Sequence, residues 1–291
     1  MTSPPTTFFH LDTVRAERPS GPKVLCLPGL FAGSWVFENL LPLIAQRGYS
    51  ASAISFRGHP PLPRMSTIGE QTIADYCADA SAAARTLDRP ILIAHSMGGL
   101  VALLLIAKNL ARAAILLSPA PTRGISVLSP PILARMARYL PALLFSRAYL
   151  PIDADLDALV LNMVPPAQRA ALRARFVPDS GRASREMALG VYAVAPSAVT
   201  VPTLIVGADN DRFIPLSVSR RMASKYGAQL HIADGHGHFL LGEPGWESEA
   251  KVMLDWMDAL PRGTKDAVGE NASAPRRITS ATTHSTSPGT P

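Results

Sequence analysis

Residues 91–110, ILIAHSMGGLVALLLIAKNL, run an apolar strand straight into a helix that is apolar on most faces, with a serine and two glycines at the junction. A strand without polar alternation fits a sheet covered on both faces, as parallel sheets are. The surrounding sequence repeats the rhythm. KVLCLPG (23–29) and SASAISF (50–56) read as strands, and between them SWVFENLLPLIAQRG carries an amphipathic helix with Ser34 as its N-cap and Gly48 as its stop. TIADYCADASAAARTL is a helix and ARAAILLSPA a strand; from Val201, PTLIVGA, PLSVSRRMASKYG, AQLHIAD and WESEAKVMLDWMDAL alternate again. Short strands alternating with helices predict an α/β fold with a mostly parallel central sheet flanked by helices.

The rhythm stops at Pro119. To about Ser197 no convincing strand occurs, and helix-type stretches such as PPILARMARYLPALLF, DADLDALVLNMV, PPAQRAALRARFV and SREMALGVYAV take over. The chain thus divides into a core of residues 1–120 and 197–261 and a helical insertion of residues 121–196. In the insertion, Arg135, Arg138, Arg147, Arg169 and Arg173 mark solvated helix faces, and Ile132, Leu133, Met136, Leu140, Leu143 and Leu144 form an apolar face that covers something. After Pro261 the composition turns to Gly, Ser, Thr, Ala and Pro, which predicts a disordered tail over 262–291.

The net charge of +6 raises the question of an acidic partner, but the basic residues form no block and interleave with no aromatic stretch, so no nucleic-acid partner is expected. Cys26 and Cys77 lie in a strand-type and a helix-type segment without metal or disulfide spacing, and read as small buried hydrophobes. No secretory signal pattern opens the chain, and the longest apolar run, Leu100 to Ala107, is too short to cross a membrane. The expectation is a cytoplasmic protein.

Ser96 at the strand–helix junction sits where only small residues fit two positions before and after it, and Ala94 and Gly98 meet that demand. Such a turn lifts the serine oxygen above the carboxyl edge of the sheet, over a helix N-terminus whose free N–H groups face developing negative charge. This is the nucleophile-elbow pattern, with Ala94 where glycine is usual. Alone, the stretch fits a helix N-cap nearly as well. A serine nucleophile also needs a base and a group to orient it. GADNDRFIP (207–215) offers Asp209 and Asp211, and DGHGHFLLGEP (234–244) offers His236 and His238, both after strands that deliver their loops to one edge. A metal pair at the two histidines lacks further ligands at zinc-enzyme spacing.

AHSMGGLVA, NDRFIP and GHGHFLLGEPGWE, in that order, resemble the α/β-hydrolase superfamily, near its esterase and lipase-like branch, over roughly residues 20–260. The resemblance implies Ser96 as nucleophile, Asp211 as acid and His238 as base, leaving Asp209 to stabilise its turn. It implies an oxyanion hole of the Met97 and Leu30 N–H groups, with Phe31 next in line, in a loop that begins Pro28-Gly29 rather than His-Gly. His59, in SFRGHPP, resembles the family's R-G-H turn with a structural role, and His95 packs or hydrogen-bonds beside the elbow. The insertion becomes a cap over the catalytic edge, with Phe31 and Trp35 lining a pocket for an apolar acyl or alcohol group. The implied activity is hydrolysis of a small-molecule carboxylic ester through an acyl-enzyme, with no cofactor. Other reactions on the same triad (carbon–carbon hydrolysis, perhydrolysis, acyl transfer) or a weakly catalytic binding protein are the alternatives.

Overall fold

Alternate side chains of the central strands enter two separate apolar cores, one on each side of the sheet. In the computed structural model, which describes residues 8–261, strands β1 (His10–Val14), β2 (Val24–Leu27), β3 (Ala51–Ser55), β4 (Ile91–His95) and β5 (Ala113–Leu117) come first. Two two-residue strands follow, β6 (Ala148–Tyr149) and β7 (Asp179–Ser180), then β8 (Thr203–Ala208) and β9 (Gln229–Ala233). Seven of them form one sheet in the order β1-β3-β2-β4-β5-β8-β9. Only β1 is antiparallel, to β3; the other neighbours run parallel, with Ile91 opposite Ala113 and His95 opposite Leu117.

Helices α1 (Leu40–Gln46), α2 (Ile73–Thr86) and α3 (Met97–Ala107) connect these strands. Leu92 and Ala94 of β4 join the core built with α2 and α3, whereas Ile91 and Ile93 join the core on the opposite side. Burial on both faces removes the polar alternation that a half-exposed strand needs, so the apolar run of residues 91–94 follows from the architecture. Helix α3 is apolar on most faces for the same reason: nine of its residues, Leu100, Val101, Leu103 and Leu105 among them, are buried. Helix α2 starts on a capping box in which Thr72 Oγ1 accepts from the Asp75 N–H and Asp75 Oδ2 from the Thr72 N–H.

Between β5 and β8 lie α4 (Pro130–Met136), α5 (Leu140–Leu144), α6 (Asp153–Asp155), α7 (Pro166–Arg173) and α8 (Gly181–Ala188). After β8 come α9 (Leu216–Tyr226) and, after β9, α10 (Trp246–Asp258). The sequence reading of the tail concerns 262–291, outside the described residues.

Several expectations change. Strand β1 falls outside the predicted rhythm because HLDTV is only partly buried at the sheet edge and carries no apolar run. Ser34 is not a helix N-cap: it opens a 3-10 turn, Ser34–Phe37, and α1 begins after Asn39. Its hydroxyl instead donates to Asp12 and lies 3.0 Å from Ser55 Oγ. The segment predicted to lack strands contains β6 and β7, which pair antiparallel but are too short for a periodicity to register. The single apolar face over residues 132–144 breaks up, because α4 and α5 are separated by a 3-10 turn, Ala137–Tyr139. Ile132 and Leu143 are buried, but Leu133, Leu140 and Leu144 are 50%, 49% and 61% exposed. The arginines there are not merely solvated: Arg135 pairs with Asp155 at 2.9 Å, and Arg173 with Asp157 at 2.7 Å and Asp153 at 3.1 Å.

The R-G-H turn after β3 is anchored by Arg57, whose Nε and Nη2 donate to the buried Asp79 of α2 at 2.9 and 2.6 Å. Removing one partner of a buried, hydrogen-bonded ion pair strands the other. Asp79→Ala is expected to lower unfolding free energy by about 3–5 kcal/mol, measured by urea titration; a midpoint equal to wild type contradicts this anchoring.

Candidate active site

Ser96 caps the end of β4 with φ +53° and ψ −120°, a backbone that a non-glycine residue adopts at a cost. Three hydrogen bonds hold the turn. The Ser96 N–H donates to Leu117 O at 3.0 Å, and Ser96 O accepts from the Gly99 and Ala120 N–H groups at 2.9 and 2.8 Å. Gly98 must be small: a Cβ there would stand 2.3 Å from Leu27 O and 2.8 Å from Pro28 O. Ala94, where glycine is usual, is fully buried in the α2/α3 core and keeps its pairing with Leu27 and Leu116, so its methyl fits without opening the turn.

The loops after β8 and β9 meet at this edge. His238 Nε2 lies 3.1 Å from Ser96 Oγ, and His238 Nδ1 lies 2.9 Å from Asp211 Oδ2. The other Asp211 oxygen accepts from the Phe213 and Ile214 N–H groups at 2.8 and 2.7 Å, which fixes the carboxylate. All three side chains are buried. Of the two aspartates and two histidines that these loops offer, Asp211 and His238 are the ones placed in hydrogen-bond reach of each other, with His238 also reaching Ser96. Asp209 Oδ1 accepts from the Gly235 N–H at 2.8 Å and ties the two loops together. His236 turns away, its Nδ1 3.1 Å from Glu243 Oε2; that hydrogen bond, against the opposing effect of burial, raises the His236 pKa.

His95 hydrogen-bonds beside the elbow, donating from Nε2 to the carbonyl of His238 at 2.8 Å. Burial, with the repulsion that a protonated His238 would add, lowers its pKa to about 3, so the ring stays neutral and serves as a fixed donor. The loop after β2 lies against the serine: a Cβ on Gly29 would approach Ser96 Cβ to 3.0 Å. Among the described residues, neither the Leu30 nor the Met97 N–H has an intramolecular acceptor. The Phe31 N–H is taken, donating to Asp179 Oδ2 at 2.7 Å.

Phe31 and Trp35 are both half-buried and face the 121–196 segment: the Phe31 ring meets Tyr149 edge-on at 5.1 Å, and Trp35 meets Phe176 edge-on at 5.3 Å. Phe239, 5.7 Å from Trp35, carries this aromatic cluster to within 6.3 Å of His95. Asp179 and Glu243 are two buried acids near this edge that the sequence reading missed. Asp179 lies in a segment without periodicity, and Glu243 resembles any loop carboxylate until its contact with His236 is seen. Among the described residues, no group of three or more His, Cys, Asp or Glu side chains could hold a metal ion, and no helix is long and apolar enough to cross a membrane.

The model of the alpha/beta hydrolase family matches residues 24–250. The chain belongs to that family. The fold of this hydrolase is shared with solved structures at low identity. It is similar to a monoacylglycerol lipase of Paleococcus ferrophilus (18% identity, TM-score 0.66, covering 85% of this chain and 98% of that one). It is also similar to a soluble variant of monoglyceride lipase from Saccharomyces cerevisiae, solved with a substrate analogue (16%, TM-score 0.71, 86% and 91%). A third is a carboxylesterase of the thaumarchaeon Nitrososphaera gargenis (14%, TM-score 0.67, 88% and 98%). No curated protein matches the sequence significantly.

The close approach at Gly98 yields a test. Gly98→Ala forces the elbow away from Leu27 O and is expected to destabilise the fold by about 1–3 kcal/mol, typical of overpacking, and to depress ester turnover. A thermal melt and an activity assay at wild-type values would contradict it.

Proposed function

We propose that this alpha/beta hydrolase is a serine hydrolase that cleaves a small-molecule carboxylic ester through an acyl-enzyme. One observation carries the reading: a single imidazole, His238, bridges Ser96 Oγ at 3.1 Å and Asp211 Oδ2 at 2.9 Å. In this reading His238 accepts the Ser96 proton as the oxygen attacks the ester carbonyl, and Asp211 holds the ring's other N–H and offsets the imidazolium charge. The Leu30 and Met97 N–H groups stabilise the tetrahedral oxyanion; their lack of competing intramolecular acceptors supports this role. His238 then protonates the departing alcohol, and water deacylates Ser96 by the same steps in reverse. These steps need no cofactor.

The segment 121–196 acts as a cap over this edge, and its contacts support the assignment: Asp179 reaches Phe31, Phe176 packs on Trp35, and Arg175 pairs with Glu38. Phe31, Trp35, Phe176 and Phe239 offer aromatic surface for an apolar acyl or alcohol group. The similar structures named above are a monoacylglycerol lipase, a monoglyceride lipase and a carboxylesterase, names in keeping with an ester substrate. The setting is cytoplasmic, in keeping with two buried cysteines that are both free.

Ser96→Ala is expected to cut hydrolysis of p-nitrophenyl butyrate by about 10⁴-fold or more while leaving the thermal transition in place. Retained turnover would remove the reading. Across p-nitrophenyl esters, kcat/KM is expected to rise from acetate to longer apolar acyl chains, by about 10-fold or more for each few buried methylenes. A flat profile would contradict the apolar pocket.

A further inference from the structure

Phe31 is where the loop after β2 meets the 121–196 segment, and both of its backbone polar groups are engaged there. Its N–H donates to Asp179 Oδ2 at 2.7 Å, and its carbonyl accepts from the Val177 N–H at 2.9 Å. It holds φ +66° without being glycine, a conformation that persists only where the surroundings impose it.

Asp179 is fully buried and every acceptor direction is used. Oδ2 also accepts from His59 Nε2 at 3.0 Å, and Oδ1 accepts from the Tyr76 hydroxyl at 2.5 Å and the Ser180 N–H at 2.6 Å. His59 Nδ1 points at Arg57 O at 3.0 Å. Both imidazole nitrogens therefore face pure acceptors, and both carry protons. Burial opposes that charge, but the Asp179 carboxylate overrides it and raises the His59 pKa; burial likewise opposes the Asp179 charge, which His59 and the hydrogen bonds hold in place. His59 sits on the turn that Arg57 anchors to Asp79. A buried ion pair rooted in the core thus grips the loop beside the serine.

We infer that Asp179 is a positioning residue for the oxyanion loop: by taking the Phe31 N–H it withdraws that donor from the site and aims the Leu30 N–H at the oxyanion. The inference rests on the serine-hydrolase reading. It gives His59 a task beyond shaping its turn, since the imidazolium keeps the Asp179 carboxylate charged where it meets Phe31. Oxyanion donors act on charge that develops in the transition state, so loosening one lowers kcat and leaves KM nearly unchanged. A misplacement of about 1 Å in such a site can cost on the order of 10²-fold.

The test measures kcat and KM for p-nitrophenyl butyrate in wild type, Asp179→Asn, Tyr76→Phe and Ser96→Ala, with a thermal melt of each. In Asp179→Asn the amide N–H₂ must face donors that now meet a carboxylate oxygen. Its kcat is expected to fall about 10-fold or more with KM within about twofold. Tyr76→Phe keeps the ring packing and removes one hydrogen bond from Asp179; its kcat is expected to fall about two- to fivefold, again without a rise in KM. If Asp179→Asn does not fold, Tyr76→Phe decides. A folded variant with wild-type kcat, or with a raised KM at unchanged kcat, overturns the inference. Failure of the underlying reading is distinguishable, because Ser96→Ala would then turn over like wild type; failure of the latch alone leaves Ser96→Ala inactive and Asp179→Asn at the wild-type rate.

Discussion

The backbone of Ser96, held at φ +53° between β4 and α3, is the constraint to which the rest of the structure answers. A non-glycine residue in that conformation costs about 1–3 kcal/mol and requires surroundings that leave no alternative. Those surroundings are identifiable. Leu117 O, the Gly99 N–H and the Ala120 N–H satisfy the serine's backbone, and Gly98 lets α3 press against the end of β2. Burial of β4 on both faces and of α3 on most of its surface supplies the apolar energy that holds strand and helix in register. The strained turn persists because β4 and α3, which flank it, are both held in packed apolar cores.

Among the described residues, four buried histidines stand against carboxylates: His238 with Asp211, His236 with Glu243, His59 with Asp179 and His231 with Glu249. By chemistry alone the four pairs are equivalent. Their second ring nitrogens distinguish them. His238 presents Nε2 to the Ser96 hydroxyl, which can give up a proton, whereas His59 presents its second nitrogen to Arg57 O, which cannot. The first arrangement suits proton transfer and the second suits a permanent buried charge. The same pair of residue types serves as proposed catalyst in one place and as proposed structural latch in another.

Much of this was legible in the sequence because it follows from periodicity and strict local sterics. The parallel sheet follows from apolar runs punctuated by glycine and proline, and the elbow from the small residues flanking Ser96. Asp211 and His238, the proposed acid and base, could be singled out because they stand in short ordered motifs at strand ends. What escaped was long-range and polar. Asp179 lies 148 residues from Phe31, whose N–H it accepts, and nothing in VPDSGR marks it. The apolar face expected over residues 132–144 failed because a short turn resets the helical phase between α4 and α5. Strand β1 escaped because an edge strand of mixed exposure leaves little hydrophobic signal.

The central claim is that Ser96 carries the acyl group during turnover. It is tested most directly by acid-quenching the protein during hydrolysis of p-nitrophenyl butyrate and locating the adduct by peptide mass spectrometry. The account predicts a butyryl group on Ser96, lost from Ser96→Ala and formed at least about 10²-fold more slowly when His238 is replaced by alanine. A butyryl group on any other side chain, or acylation of Ser96 at an undiminished rate without His238, would contradict it.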